Sequence, residues 1–301
     1  MKYTIFLSTL FIHALLIPSV CWADYRVSDY LGRELVLQKP AERVIALAPH
    51  IVENMYAAGA GDTLVGVVDY SDFPEQARLL PKVGIISAFS VETIVALKPD
   101  LVIVWYSGRG ALVLDQLERL GLTTYASDPR TLKDISRSIR DYGILTANEG
   151  AADKSASDYD TRLATLKRQY ENSPTVSVLY QIWNDPLQTL NGEHIVSDVI
   201  EVCGGRNIFF DAPTIAPRIS LETVIQRNPE VILASGIGAE RPPWLDHWKR
   251  FASLNAVASD SLYNVPPDII QRHTPRILEG IQRICEQLEN ARGKRKHGSL
   301  N

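Results

Sequence analysis

His50, Glu53 and His273 are of residue types that can bind metal ions or transfer protons. His50 and Glu53 are spaced i, i+3 at the start of a predicted helix, so they can share one face, and His273 follows much later. Zinc and manganese sites need three or four histidine or carboxylate ligands, which converge at about 2.0–2.2 Å. The chain has only 6 histidines and no His-rich loop, and the helix dipole also favours a glutamate in a first turn. A metal-ion receptor is therefore an alternative, and we expect no metal site.

An acid–base pair can also be drawn, because Asp72 could work with His50 or with His273. The sequence has no G-x-S-x-G, H-E-x-x-H, P-loop or G-x-G-x-x-G motif that would supply a nucleophile, a catalytic metal or a phosphate cradle. We therefore predict a binding protein that is not an enzyme, has no catalytic residues and needs no cofactor. A secreted enzyme and a structural adhesin are the alternatives from other classes.

Aromatic and polar side chains follow the predicted strands in both halves of the chain. They occur in "VVDYSDFP", "LVIVWYSG", "LYQIWNDPL" and "VPPDIIQRHTPR", which contribute Tyr70, Trp105, Trp183, Asp268, Arg272 and His273. Ligands of α/β folds gather at the carboxyl ends of the strands and between lobes. We therefore expect these residues, with His50, to line a ligand cleft, although ordinary packing also explains any single aromatic residue.

The elements that would position these residues are repeated. "SVETIVALKPDLVIVW" starts at Ser90, and "SLETVIQRNPEVILAS" starts at Ser220, 130 residues later. Each copy predicts a helix that stops before a proline and a buried strand that follows it. The fold class we predict is α/β, with two related α/β lobes, one long rigid helix joining them, and a ligand cleft between the lobes.

The joining helix is predicted at 149–172, where Ala156, Tyr159, Leu163, Leu166 and Tyr170 recur at helical spacing. The N-terminal lobe is predicted at 24–148, with a hairpin at 25–37, and the C-terminal lobe at 173–290. The basic run at 291–301 is predicted to be a disordered tail.

The N-terminus predicts export. A lysine, an apolar run of about 13 residues and small residues before Ala23 are typical of a signal peptide at 1–23, cleaved after Ala23 into the periplasm. The run is too short to span a bilayer of roughly 30 Å, and a lipoprotein attached through Cys21 is an alternative. Two cysteines remain after cleavage, and in an oxidising compartment we expect a Cys203–Cys285 disulfide rather than two buried thiols. The formal net charge of −4 argues against a nucleic-acid partner.

From Arg43 to Leu288 the sequence resembles the iron-siderophore, haem and vitamin B12 substrate-binding proteins of bacterial ABC importers, and among them the cobalamin binders. The segments that carry the resemblance are "RVIALAP", "YSDFP", "VETIVALKPDLVIVW", "EVCGGRNIF", "SLETVIQRNPEVI" and "QRHTPRILEG". It implies a family domain over about 42–290, a monomer, and delivery of a small molecule to a permease dimer in the inner membrane. It also implies the same disulfide.

The resemblance further implies that aromatic residues of both lobes line a corrinoid ring, as Tyr70 and Trp105 would, and that Asp268 and Arg272 lie near its amides. Phe89 and Trp183 would supply part of the apolar slot. Cobalamin binders can carry tryptophan where this chain has Ile86 and Ala216, so the ligand could instead be haem or a ferric siderophore.

Each repeated segment also carries a glutamate, Glu92 or Glu222, two residues after a serine suited to cap a helix. Stabilisation of the first helical turn is one explanation. Docking is the other, because matched carboxylates on two lobes suit the two identical surfaces of a homodimeric permease, and the resemblance implies this role.

Overall fold

The computed structural model describes residues 25–236, 238 and 240–298, and the predicted signal peptide lies outside them. The N-terminal lobe begins with an antiparallel hairpin that turns at Gly32, whose φ of +76° suits glycine. Its elements are β1 (Tyr25–Ser28), β2 (Glu34–Leu37), β3 (Val44–Ala46), α1 (Pro49–Ala57), β4 (Leu64–Val67), β5 (Gly84–Ile85), β6 (Ala88–Phe89), α2 (Val91–Ala96), β7 (Leu101–Trp105), α3 (Ala111–Arg119), β8 (Thr124–Ser127) and α4 (Leu132–Leu145).

The main sheet of this lobe is parallel, in the order β4-β3-β7-β8. The strands Val44–Ala46 and Thr124–Ser127 are fully buried, and Leu101–Trp105 is buried up to Val104. Burial on both faces is the reason that these strands read as continuous apolar runs. Parallel pairing brings the carboxyl ends of the strands to one edge of the sheet.

The C-terminal lobe repeats this arrangement with a β10-β9-β12-β13 sheet, in which β11 also pairs with β9. The pairs of β9 with β11 and β12, and of β12 with β13, are parallel. Its elements are β9 (Val176–Asn184), β10 (Leu187–Thr189), α6 (Ile195–Val202), β11 (Gly205–Asn207), α7 (Leu221–Arg227), β12 (Val231–Ala234), α8 (Asn255–Ala258), β13 (Leu262–Asn264) and α9 (Ile277–Gly298).

The helix α5 (Glu149–Tyr170) joins the two lobes and is 22 residues long. Its buried face carries Ala156, Tyr159 and Leu163, and the Tyr159 hydroxyl donates to the Leu132 carbonyl oxygen at 2.9 Å. One continuous core contains Ile51 of the first lobe, Tyr159, and Ile200 of the second. The predicted fold class is confirmed, and the shared core gives the joining helix its stiffness.

A disulfide joins Cys203, at the end of α6, to Cys285 in α9. The predicted disordered tail, in contrast, is wrong for residues 291–298, because α9 continues to Gly298. Within it, Arg292 is buried and donates to the carbonyl oxygens of Pro174 and Cys203, each at 2.7 Å. These carbonyl groups give the basic run a binding partner that its composition did not reveal.

Among the helices in the part of the chain that the structure describes, none has the length and apolar character needed to cross a membrane.

Candidate ligand-binding site

Arg272 is the centre of a cluster that joins the two lobes. Its guanidinium donates to Glu53 Oε1 at 2.9 Å and to Asp72 Oδ1 at 2.8 Å, both in the N-terminal lobe. A third carboxylate, Asp268 of the C-terminal lobe, lies 3.0 Å away, and the Tyr70 carbonyl oxygen accepts at 3.3 Å. The sequence predicted Asp268 and Arg272 as neighbours at the site, and the structure places them in contact.

Arg276 adds a second guanidinium to this cluster. It donates to both oxygens of Glu53, at 2.7 and 2.9 Å. The central carbon of the same guanidinium, Cζ, lies 4.1 Å from the centroid of the Phe73 ring. Glu53 is only 2% exposed at its side chain, so two arginines compensate a buried charge. The predicted explanation of Glu53 through the helix dipole is wrong, because Glu53 is the fifth residue of α1 (Pro49–Ala57), beyond its first turn, and its main partners come from the other lobe.

Arginines and carboxylates occur in similar number in and around the cluster. Arg272 and Arg276 face Glu53, Asp72 and Asp268, and the nearby charge of Arg78 also acts on Asp72. Burial would raise the pKa of Asp72, but the hydrogen bond and charge of Arg272 outweigh it and lower that pKa. Burial would lower the pKa of Arg272, but its interactions with Asp72, Glu53 and Asp268 outweigh this effect and raise that pKa. Arg272 is therefore fully engaged by the protein's own carboxylates.

A row of three imidazoles lies beside the cluster. The ring centroids of His50 and His273 are 5.7 Å apart, and those of His273 and His194 are 5.8 Å apart. Burial lowers the pKa of His50 and of His194 to about 4. Burial also lowers the pKa of His273 well below its usual value, with a contribution from His50 and His194. The row is neutral at pH 7, and it runs from the N-terminal lobe into the C-terminal lobe.

His50 and His273 are 5% and 7% exposed, and His50 Nε2 is buried without a hydrogen-bond partner. The structure thus buries both side chains, and their contact with a ligand stays a prediction. Asn54, next to Glu53, ties the row to the first lobe by donating to the His273 carbonyl oxygen at 2.9 Å.

Trp105 ends β7 and packs edge-on against His50, with ring centroids 5.3 Å apart. A π-helical turn, Tyr106–Gly110, follows it at once. A Cβ at Gly108 would overlap the Trp105 indole, so glycine is required for the turn to close over this ring. The turn therefore packs closely against Trp105, which the sequence analysis predicts to line the ligand cleft.

Tyr70 and Trp183 present aromatic surface to solvent, at 76% and 42% exposure. The backbone of Tyr70 is left-handed, with φ of +63°, a conformation that is uncommon for a bulky residue and that concentrates at functional sites. The Trp183 indole is held by donation to the Asp185 carbonyl oxygen at 2.8 Å. Phe89 is half-buried and packs against the outer core of its lobe, so it offers less surface than these two.

The metal-ion alternative finds no support in this geometry. Both oxygens of Glu53 are occupied by arginine, which leaves His50 and His273 without the carboxylate that would complete a set of ligands. Among the described residues there is no group of three or more His, Cys, Asp or Glu side chains that could hold a metal ion.

The two repeated glutamates lie on short helices away from this cluster. Ser90 caps α2 and Ser220 caps α7, each accepting from the backbone N–H three residues later, at 3.1 and 3.2 Å. Ser90 also donates to Glu92 at 3.1 Å, and hydrogen bonds from its own backbone and from Ser220 lower the pKa of Glu222. The predicted capping is present, and it leaves both carboxylates exposed.

A groove of about 1160 Å³ elsewhere on the C-terminal lobe is a poor candidate for the ligand site. Glu230 and Asp260, which line it, precede β12 and β13, so the groove lies at the amino ends of these strands. Lys294 on its wall already bonds the Asp260 carbonyl oxygen at 2.5 Å. Ligand sites of open α/β sheets occupy the opposite edge.

Arg276, Asn54 and His194 belong to the site but were missed by the sequence analysis. Arg276 stands four residues after Arg272, a helical spacing that could have indicated a shared carboxylate partner. The sequence gives no signal that His194 belongs to the site, because a residue directly before a helix usually serves as its cap. His194 does cap α6, since its Nδ1 accepts from the Val196 N–H at 3.2 Å.

Two curated relatives are similar to this chain over most of their length. The vitamin B12-binding protein of Vibrio cholerae is 38% identical over 252 residues, which cover 84% of this chain and 91% of that protein. The vitamin B12-binding protein of Photorhabdus laumondii is 34% identical over 248 residues, covering 82% of this chain and 88% of that protein.

Solved structures share the fold. The periplasmic vitamin B12 binding protein of Vibrio cholerae superposes with a TM-score of 0.78 at 37% identity, covering 84% of this chain and 98% of that one. A periplasmic heme-binding protein of Vibrio cholerae superposes with a TM-score of 0.71 at 20% identity, covering 82% and 98% of the two chains, a likeness of fold alone. The periplasmic binding protein family model matches residues 44–269. Two α/β lobes joined by a long helix thus agree with these matches, and the chain belongs to the periplasmic binding protein family.

Proposed function

We propose that this chain captures a cobalamin or related corrinoid between its lobes in the periplasm and delivers it to the permease of an ABC importer. The support from relatives is that vitamin B12-binding proteins match nearly the whole chain. We expect an exported monomer whose signal peptide is cleaved after Ala23, which uses no cofactor and releases its ligand unmodified.

The observation that carries the choice of ligand is the saturation of Arg272. Three carboxylates and a carbonyl oxygen already surround its guanidinium. A ligand that brings carboxylates, such as the propionates of haem, would meet these carboxylates and find Arg272 already engaged. A corrinoid bears neutral amides at its ring edge, and these can donate to the half-exposed Asp268.

The apolar part of the ligand needs flat surface from both lobes. Tyr70 contributes it from the first lobe and Trp183 from the second, with Trp105 and Phe89 contributing smaller exposed areas. In the proposal, His50 and His273 hold Trp105 and the arginine cluster in place from beneath. Ile86 is partly buried and Ala216 is exposed, so the slot offers less aromatic surface there than a binder with tryptophan at both positions.

Titration of the exported protein with cyanocobalamin, haemin and a ferric hydroxamate, followed by calorimetry and tryptophan quenching, tests the choice of ligand. We expect micromolar or tighter binding of cyanocobalamin and weaker binding of the other two. Tight haemin binding without cobalamin binding would contradict the choice of cobalamin and would favour haem as the ligand. The exposed Tyr70 would then be the candidate ligand of the haem iron.

Glu92 and Glu222 are proposed to dock on the permease. Reversal of both charges, Glu92→Arg with Glu222→Arg, should abolish uptake of cobalamin by cells and leave cobalamin binding by the purified protein unchanged. Loss of cobalamin binding in this variant would contradict the docking role.

A further inference from the structure

The two helices that carry the proposed docking glutamates have the same exposure profile, residue by residue. In Val91–Ala96 and in Leu221–Gln226, the order is half-buried, exposed, half-buried, buried, exposed, exposed. Ile94 and Val224 are the buried anchors, each 0% exposed. The repetition therefore extends beyond sequence to the surface that each lobe offers.

The backbone at both ends of these helices is also repeated. Lys98 and Asn228, 130 residues apart, both have left-handed φ, at 47° and 40°. Two residues later, Asp100 accepts from Arg43 N–H at 2.9 Å, and Glu230 accepts from Ser177 N–H at 2.8 Å. In each lobe an acid that follows the helix thus bonds the chain at the start of a central strand, at Arg43 just before β3 and at Ser177 near the start of β9.

Each helix exposes a large apolar side chain one turn after its glutamate. Val95 is 44% exposed and Ile225 is 40% exposed. Residues at i and i+3 share a helical face, so Glu92 lies beside Val95, and Glu222 lies beside Ile225. Both glutamates are exposed, and the partners that the structure records for their carboxylates are local: Ser90 for Glu92, and Ser220 with the backbone of Glu222 itself for Glu222.

We propose that Val95 and Ile225 are part of the docking surface, so that each lobe offers the permease a carboxylate and an adjacent apolar contact. This inference builds on the proposed function. The occupant is a two-fold symmetric permease, because two equivalent patches on one chain match the two equivalent sites of a homodimer. On each permease subunit the complementary site is a cation next to a shallow apolar pocket.

The two contacts act differently on binding. A carboxylate that meets a cation mainly steers association and depends on salt, whereas an apolar side chain that is buried on docking mainly slows dissociation. Burial of the exposed part of a valine or isoleucine side chain suffices for about a tenfold change in affinity. The permease thus recognises each lobe through one long-range contact and one short-range contact.

The test uses the exported protein and the permease complex of the same bacterium, held in nanodiscs, with dissociation measured by surface plasmon resonance. We expect Val95→Ser and Ile225→Ser each to weaken binding about tenfold through faster dissociation, and the double variant to weaken it at least 30-fold at low and at high salt. Leu120→Ser, at another exposed apolar residue, is the matched control and should leave binding unchanged. Cobalamin affinity and thermal unfolding should match the unaltered protein in all four variants.

A double variant that binds the permease like the unaltered protein overturns the inference and leaves the proposed function standing. Effects of Val95→Ser and Ile225→Ser that differ more than tenfold overturn the two-fold symmetric arrangement. If the unaltered protein binds cobalamin but does not bind the permease, the delivery role itself falls, and the inference falls with it.

Discussion

Glu53 and Arg276 face each other across the boundary between the lobes in a two-pronged ion pair. Nε of Arg276 lies 2.9 Å from Oε2 of Glu53, and a terminal nitrogen of the same guanidinium lies 2.7 Å from Oε1. The residues are more than two hundred positions apart in the chain. Glu53 also accepts from Arg272, so its carboxylate forms ion pairs with two arginines of the other lobe.

Glu53→Gln should therefore destabilise the protein strongly. Glutamine keeps the size of the side chain but removes the charge that two largely buried guanidiniums share, which costs about 3 kcal/mol of unfolding free energy. Urea denaturation measures the loss. Asp246→Asn weakens two exposed pairs, with Arg241 and with Lys249, and should cause little change. Equal stability of both variants would show that the cross-lobe cluster contributes little.

Stability should fall as the pH is lowered from about 6.5 to about 4, because His50 and His194 have pKa values of about 4 in the folded protein. In that window the unfolded chain binds protons that the folded chain excludes, and each histidine lowers the unfolding free energy by about 1.4 kcal/mol per pH unit. Above the window the imidazoles are neutral in both states and add no slope.

Burial raises the pKa of Asp141 and of Asp198, which acts in the opposite direction at the acid end, so the contribution of histidine is best read from a difference between variants. His194→Asn keeps an acceptor for the α6 cap and should flatten the pH profile of urea unfolding. The exposed His247→Asn is the control and should retain the full slope. A profile of His194→Asn that matches the control would contradict the prediction.

Removal of the disulfide by the double variant Cys203→Ala, Cys285→Ala should lower the unfolding free energy by about 4 kcal/mol. The bridge closes a sequence separation of 82 residues, so its loss frees a large loop in the unfolded chain. Urea midpoints with and without a reductant measure this effect. The double variant should be insensitive to the reductant, and a midpoint equal to that of the unaltered protein would show that the core holds α6 and α9 together without the bridge.

Gly108→Ala should lower ligand affinity about tenfold or more, because the new methyl group overlaps the Trp105 indole and displaces it from His50. Tryptophan fluorescence of the free protein should shift at the same time. Gly150→Ala is the matched control, since a Cβ there meets no atom within 4 Å and should instead stabilise α5 by about 0.5–1 kcal/mol. Unchanged cobalamin affinity in Gly108→Ala would exclude Trp105 from the site.

The fold could be predicted because its signals are local and occur twice. Apolar runs, prolines and capping serines mark the same helix and strand in each lobe, and a regular apolar spacing marks the joining helix. The same logic predicted which strand ends would carry the candidate site. This logic predicts Tyr70, Trp105 and Trp183 as candidates, and each lies at or near the carboxyl end of a strand.

The charge cluster could not be predicted in the same way, because no local spacing tells which carboxylate of one lobe meets which arginine of the other. Glu53 was therefore read as a helix-start residue, and Arg276 was not noticed. The basic C-terminal run was misread for a related reason, since the carbonyl groups that bind Arg292 belong to segments distant in sequence.

The equivalence of α2 and α7 has a consequence for how the protein approaches its receptor. A binding protein with two equivalent docking patches can bind a two-fold symmetric membrane partner in two orientations, because rotation by half a turn restores the same contacts. Roughly twice as many encounters are then productive as for a binder with one unique end. The residues of the candidate site differ between the two lobes, so in the proposed complex the cargo would reach the translocation path in either of two opposite orientations, and the path would have to admit both.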